Sequence, residues 1–136
     1  MDNINFVIER KILKLGNRLI STRNEELKHI DLTSSQSETL LFFGRYDGAK
    51  ILDLKEYLNV SHQAAQKIVD RMREKGFLRI SISADDARAK SVSLTENGKQ
   101  LYAYLKNNGE DVGRKLLNNL SEEEKETLCL LLDKIT

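Results

Sequence analysis

The chain has 136 residues, 40% of them hydrophobic and 32% charged, with a formal net charge of +1. That balance excludes a disordered chain, and charges interrupt every apolar run before it reaches the length of a membrane span. The single Cys129 excludes an intramolecular disulfide framework, and the N-terminal MDNINFVIERKILK lacks the uncharged apolar stretch of a secretory signal, so a reducing, cytoplasmic location is expected.

Ile4, Ile8, Ile12, Leu15 and Leu19 recur at i+3/i+4 spacing, with Val7 and Leu13 widening the stripe. This pattern predicts one long helix from about Ile4 to His29, with Arg10, Lys14 and Arg18 on its other face. Thr33 followed by Gln36 is a capping-box pattern, and the helix it opens carries Leu40, Leu41 and Phe43 before Asp47-Gly48 ends it. Asp53 reads as the cap of a short helix over Leu54 to Leu58, Asn59-Val60 as a tight turn, and Ser61 as the cap of a helix running to about Lys75 and stopping at Gly76. Ala65, Ile68, Val69 and Met72 form the buried stripe of that helix.

The period then changes from helical to alternating. Leu78 to Ile82 and Val92 to Leu94 read as two short strands around a polar, charged tip, Ser83 to Ser91. Thr95 caps a further helix with Leu101, Tyr104, Leu105 and Val112 on its apolar side, and Asn107-Asn108-Gly109 with Gly113 predict a bend in it. Ser121 with Glu124 opens a last helix that carries Leu128, Leu131, Leu132 and Ile135. The expected fold class is mainly α with a small antiparallel β-wing, a winged helix-turn-helix plus a helical dimerisation region. Residues 1–32 are expected as an N-terminal dimerisation helix, 33–97 as the winged helix-turn-helix and 98–136 as the C-terminal dimerisation helices.

Two helices joined by a tight turn and followed by a charged hairpin suit double-stranded DNA. The major groove admits one helix, whose exposed first turns must be polar to reach base edges. Here that helix opens Ser61-His62-Gln63, continues Gln66-Lys67 and places Arg71 one turn on. Gln pairs bidentately with adenine, and Lys or Arg reaches guanine or phosphate. From Lys50 to Lys99 ten Lys/Arg stand against seven acids, a local +3 in a chain of net +1. That surplus permits DNA binding without proving it.

Two blocks carry a family resemblance. The first runs Leu54-Lys-Glu-Tyr-Leu58-Asn-Val60-Ser61-His-Gln-Ala64-Ala65, then Lys67-Ile68-Val69-Asp70-Arg71-Met72 and Lys75-Gly76-Phe77-Leu78. The second runs Asp86-Ala-Arg88-Ala-Lys90-Ser-Val92-Ser-Leu94-Thr95, in the pattern D-x-R-x(5)-L-T. Together they resemble the MarR-type winged helix-turn-helix transcriptional regulators. The resemblance implies a dimeric, sequence-specific repressor with Arg88 entering the minor groove, held by Asp86. It also implies a small-molecule effector bound between the dimer region and the DNA-binding region. The expected DNA-contacting set is Ser61, His62, Gln63, Gln66, Lys67 and Arg71, with Asp86, Arg88 and Lys90 from the wing.

Plainer readings stand beside these. His62 alone would be a surface residue at a helix start. Arg73 and Lys75 read as a solvated face balanced by Asp70 and Glu74. Cys129, inside Leu128-Cys-Leu-Leu-Leu132, reads as core or dimer packing, not a redox sensor. Phe42, Phe43, Tyr46 and Tyr102 could line an effector cavity, and core packing accounts for them equally well. His29 and His62 have no metal-ligand spacing around them, no catalytic set emerges, and neither a cofactor nor an enzymatic activity is expected. The rival class is a winged-helix protein-interaction module, which would present an apolar or acidic recognition face.

Overall fold

The computed structural model describes residues 1–82 and 90–136. Four hydroxyl caps set where its helices begin. Thr33, Ser61, Thr95 and Ser121 each accept the backbone N–H three residues on, every one at 3.1 Å. They open helices α2 (Ser34–Arg45), α4 (His62–Glu74), α5 (Glu96–Leu116) and α6 (Glu122–Ile135). Each cap satisfies an orphan donor of the first turn, and Gln36 and Glu124 complete the capping box by accepting the cap residue's own N–H. Helix α1 (Ile4–Leu27) is capped by the Asn3 side chain, and α3 spans Ile51–Leu58.

The start of α3 differs from the sequence expectation. Lys50, not Asp53, is the cap residue, and Asp53 stands at the third helical position, where its carboxylate accepts the Lys50 N–H at 2.9 Å. A carboxylate serves a helix N-terminus from either place, since both lie at the positive end of the dipole. What selects Lys50 is distant. Its extended backbone bridges to Ser91.

Strands β1 (Leu78–Ile82) and β2 (Lys90–Leu94) pair antiparallel, Leu78 opposite Leu94 and Ile82 opposite Lys90. The second edge of β2 is also used. Val92 N–H donates to the Ala49 carbonyl at 2.9 Å, and Gly48 N–H donates to the Val92 carbonyl at 3.0 Å. The loop between α2 and α3 thus acts as a third partner of the wing root.

The core lies where α2, α3, α4 and β2 meet. Leu40, Phe43, Leu54, Ala65, Val69, Met72 and Val92 are all but fully buried there, and Ile68 is half-buried. Two glycines mark close approaches. A Cβ on Gly98 would overlap the Phe77 carbonyl oxygen, and one on Gly44 would enter the ring of Tyr102. Helix α5 continues without a break through Asn107–Gly109 and Gly113 to Leu116. A mid-helix glycine costs only about 1 kcal/mol relative to alanine, too little to end a well-capped helix. On α5, Leu105 is buried while Tyr104, expected on the same apolar side, is 48% exposed.

Helix α6 and all of α1 but its C-terminal end, where Leu27 is buried, stand apart from this core. Ile4, Phe6, Ile8 and Ile12 on α1 and Leu130, Leu131 and Ile135 on α6 are exposed, and α6 has no buried residue. The chain exposes 10159 Å². A compact protein of 15.6 kDa exposes roughly 7,300 Å². The excess belongs to long helices whose apolar stripes the single chain leaves in solvent.

Candidate nucleic-acid interface

Helix α4 is aimed by the turn before it. Asn59 adopts the left-handed conformation (φ 55°, ψ 50°), which asparagine tolerates better than most residues, and α3 closes there with Asn59 N–H on Glu56 and Val60 N–H on Lys55. Ser61 then caps α4. Its apolar face, Ala65, Val69 and Met72, is wholly buried and fixes the helix about its own axis.

The opposite face carries the candidate contacts. His62, Gln63, Lys67 and Arg71 are exposed, with Gln63 and Lys67 one turn apart and facing away from the buried stripe. Ser61 Oγ is engaged as the cap. The half-buried Gln66 donates its amide to Asp70 Oδ1 at 3.0 Å, and Arg71 lies 3.5 Å from Glu74. One of the two amide N–H groups of Gln66 is thus engaged within the helix, whereas Gln63 and Lys67 point outward.

Lys75 departs from the expectation of a solvated face. Its ammonium donates to the main-chain carbonyl of Asp31 at 2.7 Å and to Gln36 Oε1 at 3.3 Å, and its side chain is only 19% exposed. Arg73 does remain exposed. In the wing, Lys90 is exposed on the same face as the buried Val92 and Leu94, beyond the edge of the core. Arg79, exposed on the other face of β1, is a cation that the sequence pattern did not single out. Its signal was the alternation itself, a charge between buried Leu78 and half-buried Ile80. Asp86 and Arg88 lie outside the described residues.

A second polar cluster joins α1, α2 and α3. Arg23 pairs with Glu38 at 2.5 Å, and the Tyr57 hydroxyl donates to the other carboxylate oxygen at 2.9 Å. Burial, then the Glu38 carboxylate, raises the Tyr57 phenol above its ordinary range, so it stays a neutral donor.

The four aromatic residues weighed for an effector cavity line none of the cavities found among the described residues. Phe42 and Phe43 meet edge to face at 5.1 Å in the core, Tyr102 closes over Gly44, and Tyr46 is half exposed. Mutual packing of the rings satisfies them there. A cavity of about 250 Å³ does exist between α1, α2 and α5, lined by Leu19, Arg23, Ile30, Leu41, Tyr104 and Val112 among others. Cys129 is exposed on α6, in solvent in the single chain and not in its core. Among the described residues no group of acidic, His or Cys side chains is placed to hold a metal ion, and no helix is long and apolar enough to cross a membrane.

A buried-backed helix after a tight turn, followed by a paired two-stranded wing, defines a winged helix-turn-helix protein. The profile of the MarR family matches residues 30–89. The HTH-type transcriptional regulator YybA of Bacillus subtilis is 29% identical over 128 residues, which cover 94% of this chain and 85% of the relative. Among solved structures, the transcriptional regulator SlyA superposes with a TM-score of 0.84 at 26% identity, covering 94% of this chain and 90% of its own. A MarR-family regulator of Listeria monocytogenes, solved with a 26mer DNA, superposes at 0.87 with 23% identity, covering 99% of this chain and 87% of its own. Residues 30–89 thus match the MarR family, and the chain over most of its length resembles HTH-type transcriptional regulators.

Proposed function

We propose that this protein is a sequence-specific transcriptional repressor that binds a pseudo-palindromic operator as a homodimer. The observation that carries the reading is α4, apolar and immobilised on one face, polar and exposed on the other from its first turn. Its amino end also attracts phosphate through unpaired backbone N–H groups and the helix dipole. The solved Listeria regulator holds DNA. The exposed stripes of α1 and α6 are suited to bury against a second copy, which would set two α4 helices about 34–36 Å apart, one turn of B-DNA. The segments 1–32 and 98–136 then serve pairing, and 33–97 serves DNA. The cavity between α1, α2 and α5 spans both functions, so an apolar effector there would act through its differential affinity for two helix spacings.

Selection of duplexes from a random-sequence library tests the reading, because a repressor enriches one inverted repeat and a protein-interaction module enriches none. On the enriched duplex, Gln63→Ala weakens binding and relaxes base preference at one or two positions, by about 1–3 kcal/mol if the glutamine pairs with a base through both ends of its amide. Lys67→Ala weakens binding to all duplexes alike and lowers the salt slope by roughly one unit for each phosphate the lysine neutralises. Titrations at two salt concentrations separate the two, and a Gln63→Ala protein with parental base preference would mean that α4 does not read bases there.

The wing supplies a second test. Arg88→Ala weakens operator binding strongly, since an arginine in a narrow A·T-rich minor groove meets enhanced negative potential. Asp86→Ala gives a milder loss if the carboxylate orients Arg88. Removal of a negative charge near DNA acts in the opposite direction, towards tighter binding. Affinities of both variants decide the sign, and tighter binding by Asp86→Ala removes the orienting role.

A further inference from the structure

The recognition helix α4 is 13 residues long, about 20 Å. Its apolar stripe fixes rotation about its own axis. The hydrophobic force that buries that stripe is non-directional, so directional polar bonds near the two ends of α4 add a constraint on its tilt. Pivoting matters for a dimer on DNA, since a small angle at the core displaces the groove-facing turns along the duplex. Two polar ties bracket α4 in the chain, and both end on the first turns of α2 or on the corner that leads into it. Before α4, Tyr57 on α3 donates to Glu38, which Arg23 of α1 holds from the other side. At the C-cap of α4, Lys75 donates to the Asp31 carbonyl and to Gln36 Oε1.

The receiving corner is specially shaped. Asp31 takes the left-handed conformation, φ 51°, and its carbonyl receives the ammonium. Gln36 Oε1 simultaneously accepts the Thr33 N–H, so the amide that caps α2 is the same one that holds Lys75. These bonds are directional, and charge-assisted at Lys75.

We propose that Lys75 and Tyr57 are positioning residues for DNA binding, a two-point mount that fixes the tilt of α4 against the α1–α2 corner and thereby the half-site spacing the dimer accepts. The mount rests on the repressor reading above. Neither side chain touches DNA in it. Both hold the binding-competent tilt, and apparent operator affinity falls by whatever fraction of molecules leaves that tilt. Binding to non-specific DNA depends on charge and is indifferent to tilt.

The test uses the full chain and the duplex that the parent enriches from a random library, together with the same duplex lengthened or shortened by one base pair at its centre. Lys75→Met keeps the apolar stem and removes the donors, Tyr57→Phe removes one hydroxyl, and Lys75→Arg keeps a cation of similar reach. The double variant is expected to lose about tenfold in operator affinity while non-specific binding at matched ionic strength changes less than about twofold. Its preference for the parental spacing flattens, and Lys75→Arg retains that preference. Operator and non-specific affinities falling together with the melting temperature would assign the ties to stability alone and overturn the mount. So would a double variant that keeps the parental spacing preference. Failure of the parent to enrich any duplex defeats the repressor reading itself, and the mount with it.

Discussion

Ile8→Asp combined with Leu131→Asp converts the protein into a folded monomer that no longer holds its operator. Ile8 is 47% and Leu131 53% exposed in the single chain, so neither carboxylate enters the core and helicity persists. In a twofold dimer each substitution appears twice on one interface. An ionised carboxylate taken out of water without a partner costs several kcal/mol, so four of them exceed what an interface of ordinary size supplies. A monomer engages one half-site and forgoes the effective concentration that delivers the second. Operator affinity therefore falls by about 10²–10⁴. Sedimentation at tens of micromolar with circular dichroism checks both halves of the expectation. A variant that sediments with the parental mass shows that the stripes of α1 and α6 do not pair copies, and a parent that is itself monomeric removes the dimer from the proposal.

The largest loss of stability is expected at Gly98. A methyl group at this position would overlap the Phe77 carbonyl oxygen, and that oxygen also accepts the Thr95 N–H. Because the obstacle is backbone, no rotamer change relieves it. Either the first turn of α5 moves off the end of β1 or the wing root shifts, and Thr95 Oγ1, which donates to the Gly76 carbonyl, moves with it. Gly98→Ala should cost roughly 3 kcal/mol, close to the upper range for forced overpacking. In a chain of this length that lowers Tm by about 10 °C. Gly109→Ala is the control. A Cβ there meets nothing within 4 Å, and the helix gains up to about 1 kcal/mol of propensity. Parental melting of Gly98→Ala would contradict the close approach of α5 to Phe77.

The parts of the fold legible in the sequence are those decided over three or four residues. The caps at Thr33, Ser61, Thr95 and Ser121 need only a hydroxyl and an N–H three positions on, and all four stand where the sequence put them. The same holds for the α4 stripe and for the change of period at Leu78. Misreadings occur where a distant group decides. Asp53 fits a cap as well as a third helical position until the Lys50–Ser91 bridge fixes the choice. Lys75 follows Arg71 at helical spacing and reads as solvated, yet its acceptors, the Asp31 carbonyl and Gln36 Oε1, lie 44 and 39 positions away, beyond what helical spacing encodes. The cavity escaped for a related reason. Phe42, Phe43, Tyr46 and Tyr102 suggested one, but a mixed set of aliphatic and polar residues from three separate helices lines it. Among the proposed contacts, spacing identified the outward direction of Gln63 and Lys67 and could not reveal that Gln66 is already engaged by Asp70.

The wing root has a consequence for how such a protein can change. Strand β2 is paired on both edges, in register with β1 over five residues and hydrogen-bonded to the Gly48–Ala49 loop through Val92. Its register is therefore held without help from whatever joins Ile82 to Lys90. Lengthening the connection between two paired strands costs little, about 0.6 kcal/mol for each doubling. A strand pinned from two sides lets that connection gain, lose or exchange residues while Leu78, Val92 and Leu94 keep their places in the core. The connection can thus diverge at almost no expense to folding, whereas the same number of insertions between α3 and α4 would destroy the turn at Asn59 that aims the helix.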